Sequence, residues 1–428
     1  MKSSIPSHLW RGLYSVLMTI AIPLLFMRLW WKGRQNPAYR LRWKERLAIF
    51  NQPLLGQSIW VHAVSLGEAV AAIPLIRALQ KQYPDTPLVV TTTTPTGSQQ
   101  IQNTFKESVI HVYFPYDLPS IIHRFLDHFK PKILVILETE LWLHCLECVQ
   151  KRNIPIVIVN GRISPKALGR YECILPITRL MLSCVTVVAV QSEQDGERFV
   201  KLGLAKERLV VTGNIKFDVQ VKEDQIKQGE ALKAQWDRPV WVAASTHAGE
   251  EEEVLSAFKT ILAEVKDALL ILVPRHPERF DAVNNLIVNQ GFSIVTRKSE
   301  MPVSAETSIF LGDTMGELNL FYAASDLAFV GGSLIPIGGH NALEAAVLGI
   351  PVIMGPHTQN CAEITRLLSE AKALVQVSSS ETLAKTVIYW FKDPEERKRL
   401  GLQGKAVVEK NRGALNKMMS LIIENYRV

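Results

Sequence analysis

From residue 58 onward, short apolar runs alternate with stretches whose apolar residues recur every three to four positions. Ser58–Val64 predicts a strand, and Glu68–Gln80 a helix with one apolar face. Leu88–Thr93 predicts a second strand, closed by a Thr94-Pro95-Thr96-Gly97 turn and another helix. Lys132–Leu137, Ile154–Val159 and Val185–Val190 are β-branched runs, each followed by a helical segment, and Leu209–Val211 ends the series. Gly213–Arg238 is charged and polar and reads as a connector. The pattern then restarts, with strands expected at Val240–Ala243, Leu269–Val273, Ser293–Val295, Leu327–Val330 and Pro351–Met354. Alternation of this kind implies parallel sheets covered by helices on both faces. The expected architecture is α/β, with two doubly wound units facing each other across a cleft and ligands at the carboxyl ends of the strands.

The N-terminus has a different pattern. Gly12 to Trp31 carries no charge except Arg28, and about 20 helical residues at ~1.5 Å each match a hydrocarbon core of ~30 Å. Trp30 and Trp31 suit an interfacial belt, and Lys32, Arg34, Arg40, Arg42, Lys44 and Arg46 follow. Only Lys2 and Arg11 precede the apolar run, so the positive-inside bias places everything after residue 31 in the cytoplasm. No small-residue cleavage site follows, which favours a retained anchor over a removed signal peptide. The run is short and contains Arg28, so a helix lying flat in the interface is the alternative to a spanning one. The expected domains are an anchor with basic collar at 1–35, a Rossmann-like domain at 36–218 and a second at 219–428.

Composition narrows the partners. The 428 residues are 47% hydrophobic and 21% charged, which is globular, and a net charge of +7 suggests an anionic partner. Much of that charge lies near the apolar N-terminus, favouring a membrane surface, and no nucleic-acid motif is present. Five cysteines make no disulfide framework. Cys145 and Cys148 form a lone CxxC on a helical stretch, readable as helix-face residues or as a redox or metal pair.

Candidate chemistry sits in the loops that follow strands. Ser65-Leu66-Gly67-Glu68 places Glu68 in a first helical turn, where the dipole favours its ionised form; charge complementarity alone explains it equally well. Glu138-Thr139-Glu140-Leu141-Trp142 puts two carboxylates at a strand end, of which strand alternation lets only one face the cleft. Lys216 lies where the first domain ends. In the second half, Pro274-Arg275-His276-Pro277 displays a guanidinium on a stiff loop, and Gly312–Leu318 turns into a helix. Gly331-Gly332-Ser333 and Gly338-Gly339-His340-Asn341-Ala342-Leu343-Glu344 form a Gly-rich approach to a helix start, whose N–H groups favour a phosphate or carboxylate. Asn341-x-x-Glu344 is readable as a capping box or as a ribose-hydroxyl acceptor. There is no DxD, HExxH, P-loop or GxSxG, so metal-dependent transfer and hydrolase chemistry lack support.

Together these motifs resemble those of the 3-deoxy-D-manno-octulosonic acid (Kdo) transferases, which add Kdo to lipid A precursor. The ordered set also includes Pro37-Ala38-Tyr39-Arg40, Tyr116-Asp117-Leu118-Pro119, Gly213–Asp218 and Ser245-Thr246-His247. The resemblance implies a GT-B fold, CMP-Kdo as donor, a lipid A precursor as acceptor, the inner membrane as location, and inverting transfer without metal or cofactor. It implies Glu68 as the proton acceptor, and Glu138 and Lys216 as transition-state stabilisers. Donor contacts are implied at Pro274, Arg275, Met315, Gly316, Glu317, Asn341, Ala342, Leu343 and Glu344. Leu143-His144 and Asn160-Gly161-Arg162 depart from the family's Pro-Asn and Asn-Ala-Arg, which bears on the acceptor side. A UDP-sugar-dependent transferase and a non-catalytic membrane scaffold are the competing readings.

Overall fold

The computed structural model describes residues 7–219 and 221–426; Lys2, counted above in the charge bias, lies outside them. The chain divides into two compact units, one of residues 1–218 with 412–428, the other of residues 219–411.

In the first unit seven strands form one parallel sheet: β1 Ser58–His62, β2 Leu88–Thr92, β3 Ile110–Tyr113, β4 Pro131–Leu137, β5 Ile156–Gly161, β6 Val187–Val190 and β7 Leu209–Val211. Their order is β3-β2-β1-β4-β5-β6-β7. The central strands are buried on both faces, as expected of β-branched runs covered by helices. Order reverses between β1 and β4, and at such a switch point a crevice opens beyond the strand ends.

The second unit repeats the plan with β8 Val240–Thr246, β9 Leu269–Pro274, β10 Ile294–Thr296, β11 Ile309–Leu311, β12 Leu327–Val330, β13 Val352–Met354 and β14 Leu374–Gln376. The order β10-β11-β9-β8-β12-β13-β14 puts its switch point between β8 and β12. These are two Rossmann-like units of the GT-B class.

Several elements differ from the sequence reading. Thr94–Gly97 is a helix start: Thr94 Oγ1 accepts from Gly97 N, opening the helix Pro95–Phe105. A Cβ at Gly97 would sit 3.3 Å from the Ser65 carbonyl oxygen, so glycine lets this helix press against the Ser65 loop. The connector contains a 14-residue helix, Glu223–Trp236. The last residues, assigned by sequence to the second domain, belong to the first unit. Ala414, Met418 and Ile422 recur at helical spacing along Ala414–Asn425 and enter the core beside β1. Asp218 accepts from Gly413 N and Leu415 N, both at 2.6 Å, fixing that helix's start.

The N-terminal helix, Ser7–Lys32, is not a detached anchor. Its segment Leu9–Lys32 has mean hydropathy 1.7 and is long and apolar enough to cross a membrane. Yet Trp10, Tyr14 and Ile22 pack on the first unit's core, and Phe26 meets Trp43 and Tyr116 at ring-centroid distances of 5.2 and 5.3 Å. Polar contacts run along the same face. Arg11 pairs with Glu147, Tyr14 Oη donates to Asp117 at 2.7 Å, and Ser15 Oγ lies 2.8 Å from His144 Nε2. The opposite face exposes Leu13, Leu17, Ile20, Leu24, Met27 and Trp31.

Candidate active site

Glu68 stands at the β1 side of the first switch point. Ser65 caps its helix, and the Glu68 carboxylate accepts from Val64 N at 2.8 Å and Ser65 Oγ at 2.9 Å. It is a near-closed capping arrangement, so both oxygens are held in place. Burial raises this carboxyl above its ordinary range, against those hydrogen bonds, and Glu138 raises it further. Helix-dipole reasoning alone anticipates a weaker base than burial produces.

Across the switch point, Glu138 directly follows β4. Its N–H continues the ladder to Val159 O at 2.9 Å, and its φ of 59° lies in the left-handed region that favours glycine. Strain of this kind at a strand's end is characteristic of functional positions. Glu140 accepts from Trp142 Nε1 at 3.1 Å, and burial, then the Glu68 charge, push its carboxyl up to about 7. Three carboxylates thus share one crevice, and the Glu138 charge raises the other two. The sequence reading lets only one of Glu138 and Glu140 face the cleft, but residues two apart on an extended chain share a face, and both carboxylates act on this crevice.

Lys216 follows β7 on the same carboxyl edge, in the turn Ile215–Phe217. Asn160, at a bulge near the end of β5 with φ 55°, accepts from Ile215 N at 3.1 Å. Asn214 caps the turn and donates to Gln191, which in turn donates to Asn160 O. This network reaches from β5 to the lysine, so the structure ties Lys216 to strands near Glu138 rather than leaving it on a free linker.

In the second unit the first stretch of the Gly-rich approach, Gly331–Ser333, turns its N–H groups inward. Glu250, fully buried, accepts from Gly332, Ser333 and Leu334 N at 2.7, 3.0 and 2.9 Å. A Cβ on Gly331 would lie 2.6 Å from that carboxylate. The Gly331–Ser333 stretch of that approach is thus filled by the protein's own side chain, while Glu250 reaches none of the N–H groups at the helix start near Ala342. Sequence could not reveal this, because Glu250 lies in a run of four glutamates about 80 positions earlier.

What remains open there is side-chain chemistry. Arg275 is exposed at the end of β9, its N–H donating to Thr246 O. His247, after β8, stacks on His340 with an interplanar angle of 4°, their Nε2 atoms 2.8 Å apart, so one donates to the other. Burial, Arg275 and the neighbouring imidazoles hold His340 down to about 4. His247 and His340 stood inside quoted motifs without being singled out.

The remaining expected donor residues are divided. Asn341 accepts from Leu343 N, but the helix Leu343–Ala346 has no capping box, and Glu344 makes no hydrogen bond among the described residues. Burial raises Glu344 while Arg275 opposes the rise. The capping box that the sequence allows is therefore not formed. Pro274 ends β9, and Ala342 and Leu343 are buried. Glu317 is paired with Arg297 and bonded by Thr314, and that pairing lowers its carboxyl. Gly316 accepts from Lys222 and Gln225, while Met315 is exposed.

The described residues hold no group of three His, Cys, Asp or Glu that could bind a metal. Cys145 and Cys148 are buried in the helix Leu143–Lys151, and burial pushes both thiols up, the reverse of a reactive pair.

Comparison with known proteins accords with this geometry. Residues 41–219 match the family described as 3-deoxy-D-manno-octulosonic-acid transferase, and residues 251–407 match glycosyl transferases group 1. A Haemophilus influenzae 3-deoxy-D-manno-octulosonic acid transferase is 41% identical, covering 97% of this chain and 98% of its own. One from Bordetella pertussis is 30% identical over 96% and 98%. A Neisseria meningitidis UDP-GlcNAc 2-epimerase structure shares the fold with a TM-score of 0.54 at 14% identity, over 86% of this chain and 100% of its own. The chain belongs to the Kdo transferase family of glycosyltransferases.

Proposed function

We propose that this protein moves Kdo from CMP-Kdo to a lipid A precursor, with inversion and without a metal, at the cytoplasmic face of the inner membrane. The observation that carries this reading is the pair Glu68 and Glu138 at one topological switch point, in a chain of this family. Glu68 takes the proton from the acceptor hydroxyl as that oxygen attacks the anomeric carbon of Kdo, and the bond to the CMP phosphate breaks. A raised carboxyl is matched to this work, since a base is most effective when its pKa approaches the working pH. Glu138 offsets the positive charge of an oxocarbenium-like transition state, and Lys216 the negative charge growing on the departing phosphate.

In the second unit Arg275 neutralises the departing phosphate, and the His247–His340 pair, which spends one N–H on its mutual bond, has one left to donate beside it. Glu344 accepts from ribose hydroxyls. Glu317 acts with Arg297 and Gly316 as a rigid wall of the nucleotide site. The N-terminal helix lies in the membrane interface, its inner face on the protein and its outer face in lipid. A helix bonded to its own domain at residues 11, 14 and 15 is poorly placed to span. Mass spectrometry of tetra-acylated lipid A precursor after incubation with enzyme and CMP-Kdo tests the assignment. A gain of one or more Kdo masses is expected; an unchanged acceptor overturns it.

A further inference from the structure

Between the N-terminal helix and the body of the first unit lies a cavity of about 330 Å³. Its apolar wall comes from Met18, Leu25 and Leu29 on one side, and from Phe114 and Trp142 on the other. Val64, whose N–H binds the Glu68 carboxylate, and Thr93 also border it, so one end lies against a residue that holds the candidate base. At ~30 Å³ for each water-sized group, the space holds on the order of ten methylenes, one chain segment rather than several.

Its cations are unusual. Arg46 lines the cavity yet is only 5% exposed. Its guanidinium donates to Thr93 O at 2.9 Å and stacks over Tyr113, while Nε has no hydrogen-bond partner. The neighbouring acid, Glu45, is taken by Arg42 and the Tyr113 N–H. A buried guanidinium without a paired carboxylate is costly unless an anion arrives. Arg28 and Lys32 of the helix stand at the same cavity. The one carboxylate lining it, Asp117, is engaged by Tyr14, His144 N and Cys145 N.

We infer that this cavity is an acceptor subsite that takes one acyl chain of a phosphorylated glycolipid in its apolar part and the phosphate on Arg46, Arg28 and Lys32. The inference rests on the Kdo-transfer reading and adds that the membrane helix itself forms part of the acceptor site. Chain and anion are required together, because apolar wall and unpaired guanidinium share one space.

Kinetics on two acceptors test it: the acylated, phosphorylated glucosamine disaccharide and its fully deacylated counterpart. Leu25→Trp fills the cavity from the helix side. It is expected to lower the preference for acylated over deacylated acceptor, as a ratio of kcat/KM, at least tenfold. Leu24→Trp, one residue away on the exposed face, keeps the wild-type ratio. Arg46→Gln is expected to lower the preference for phosphorylated over dephosphorylated acylated acceptor by a similar factor, with its melting temperature measured alongside. An unchanged ratio in Leu25→Trp, with wild-type enzyme active on both acceptors, overturns the subsite alone. Wild-type enzyme inactive on both overturns the Kdo-transfer reading and the subsite with it. Flotation of Leu25→Trp on phosphatidylethanolamine–phosphatidylglycerol vesicles should match wild type; loss of flotation would assign the cavity to bulk lipid and overturn the inference.

Discussion

Replacing Glu250 should damage the second unit out of proportion to the loss of one surface-type residue. Its carboxylate accepts three backbone hydrogen bonds from consecutive residues, and no part of it is exposed. Hydrogen bonds to a charged group contribute about 1.5–3 kcal/mol each, but burial of the carboxylate works against them and raises its pKa. Glu250→Ala leaves three buried N–H groups without an acceptor, and removing one partner of a buried charged pair costs about 3–5 kcal/mol, a reasonable net value here. Glu250→Gln keeps the shape, but its amide turns a donor toward donors, so the loss should be smaller and still above about 1 kcal/mol. Urea unfolding followed by tryptophan fluorescence should show an earlier transition in both variants, the Ala form earlier. Because the loop ends near His340, CMP protection should weaken in parallel. A Glu250→Ala protein with the wild-type midpoint would refute the idea that this carboxylate holds the loop.

Four further outcomes follow from the site. Glu68→Gln should lower kcat by about 10²–10⁴-fold while CMP affinity, read by calorimetry, stays at the wild-type value. The acid limb of kcat/KM against pH should lie above 4.5, because the Glu68 carboxyl is raised and the base must be deprotonated; Glu138→Gln should move that limb to lower pH, and a limb fixed near 4.5 in both proteins would contradict the coupling. Deleting residues 1–31 should yield aggregated or poorly folded protein, since it removes Tyr14, Ile22 and Phe26 from the first unit, side chains worth about 1.5–3 kcal/mol each when fully covered; a soluble, monomeric truncation by size-exclusion chromatography would show the helix to be dispensable. CMP should raise the melting temperature in a concentration-dependent way and UDP should not.

Much of this was readable in the amino-acid pattern because long apolar strands announce themselves. The strands missed were Ile110–Tyr113, Ile309–Leu311 and Leu374–Gln376, although strands as short at Leu209–Val211 and Val352–Met354 were read. The pattern placed Glu68 in a first helical turn and Glu138 after a strand, but the family resemblance was needed to single them out. Glu250, Asn160 and Arg46 were not legible, since their roles come from partners 82, 55 and 47 residues away. The return of the last helix to the first unit was hidden for the same reason. Met418 and Ile422 mark an apolar face, but nothing local says which core receives it.

The two-faced N-terminal helix also changes what concentration means for this enzyme. Under the proposed function, with one face on the protein and the other in lipid, the crevice at Glu68 travels with the membrane surface. The search for acceptor then becomes diffusion in two dimensions. Turnover should track the mole fraction of acceptor in the bilayer rather than its amount per volume, and inert lipid added at fixed acceptor should slow the reaction by surface dilution alone.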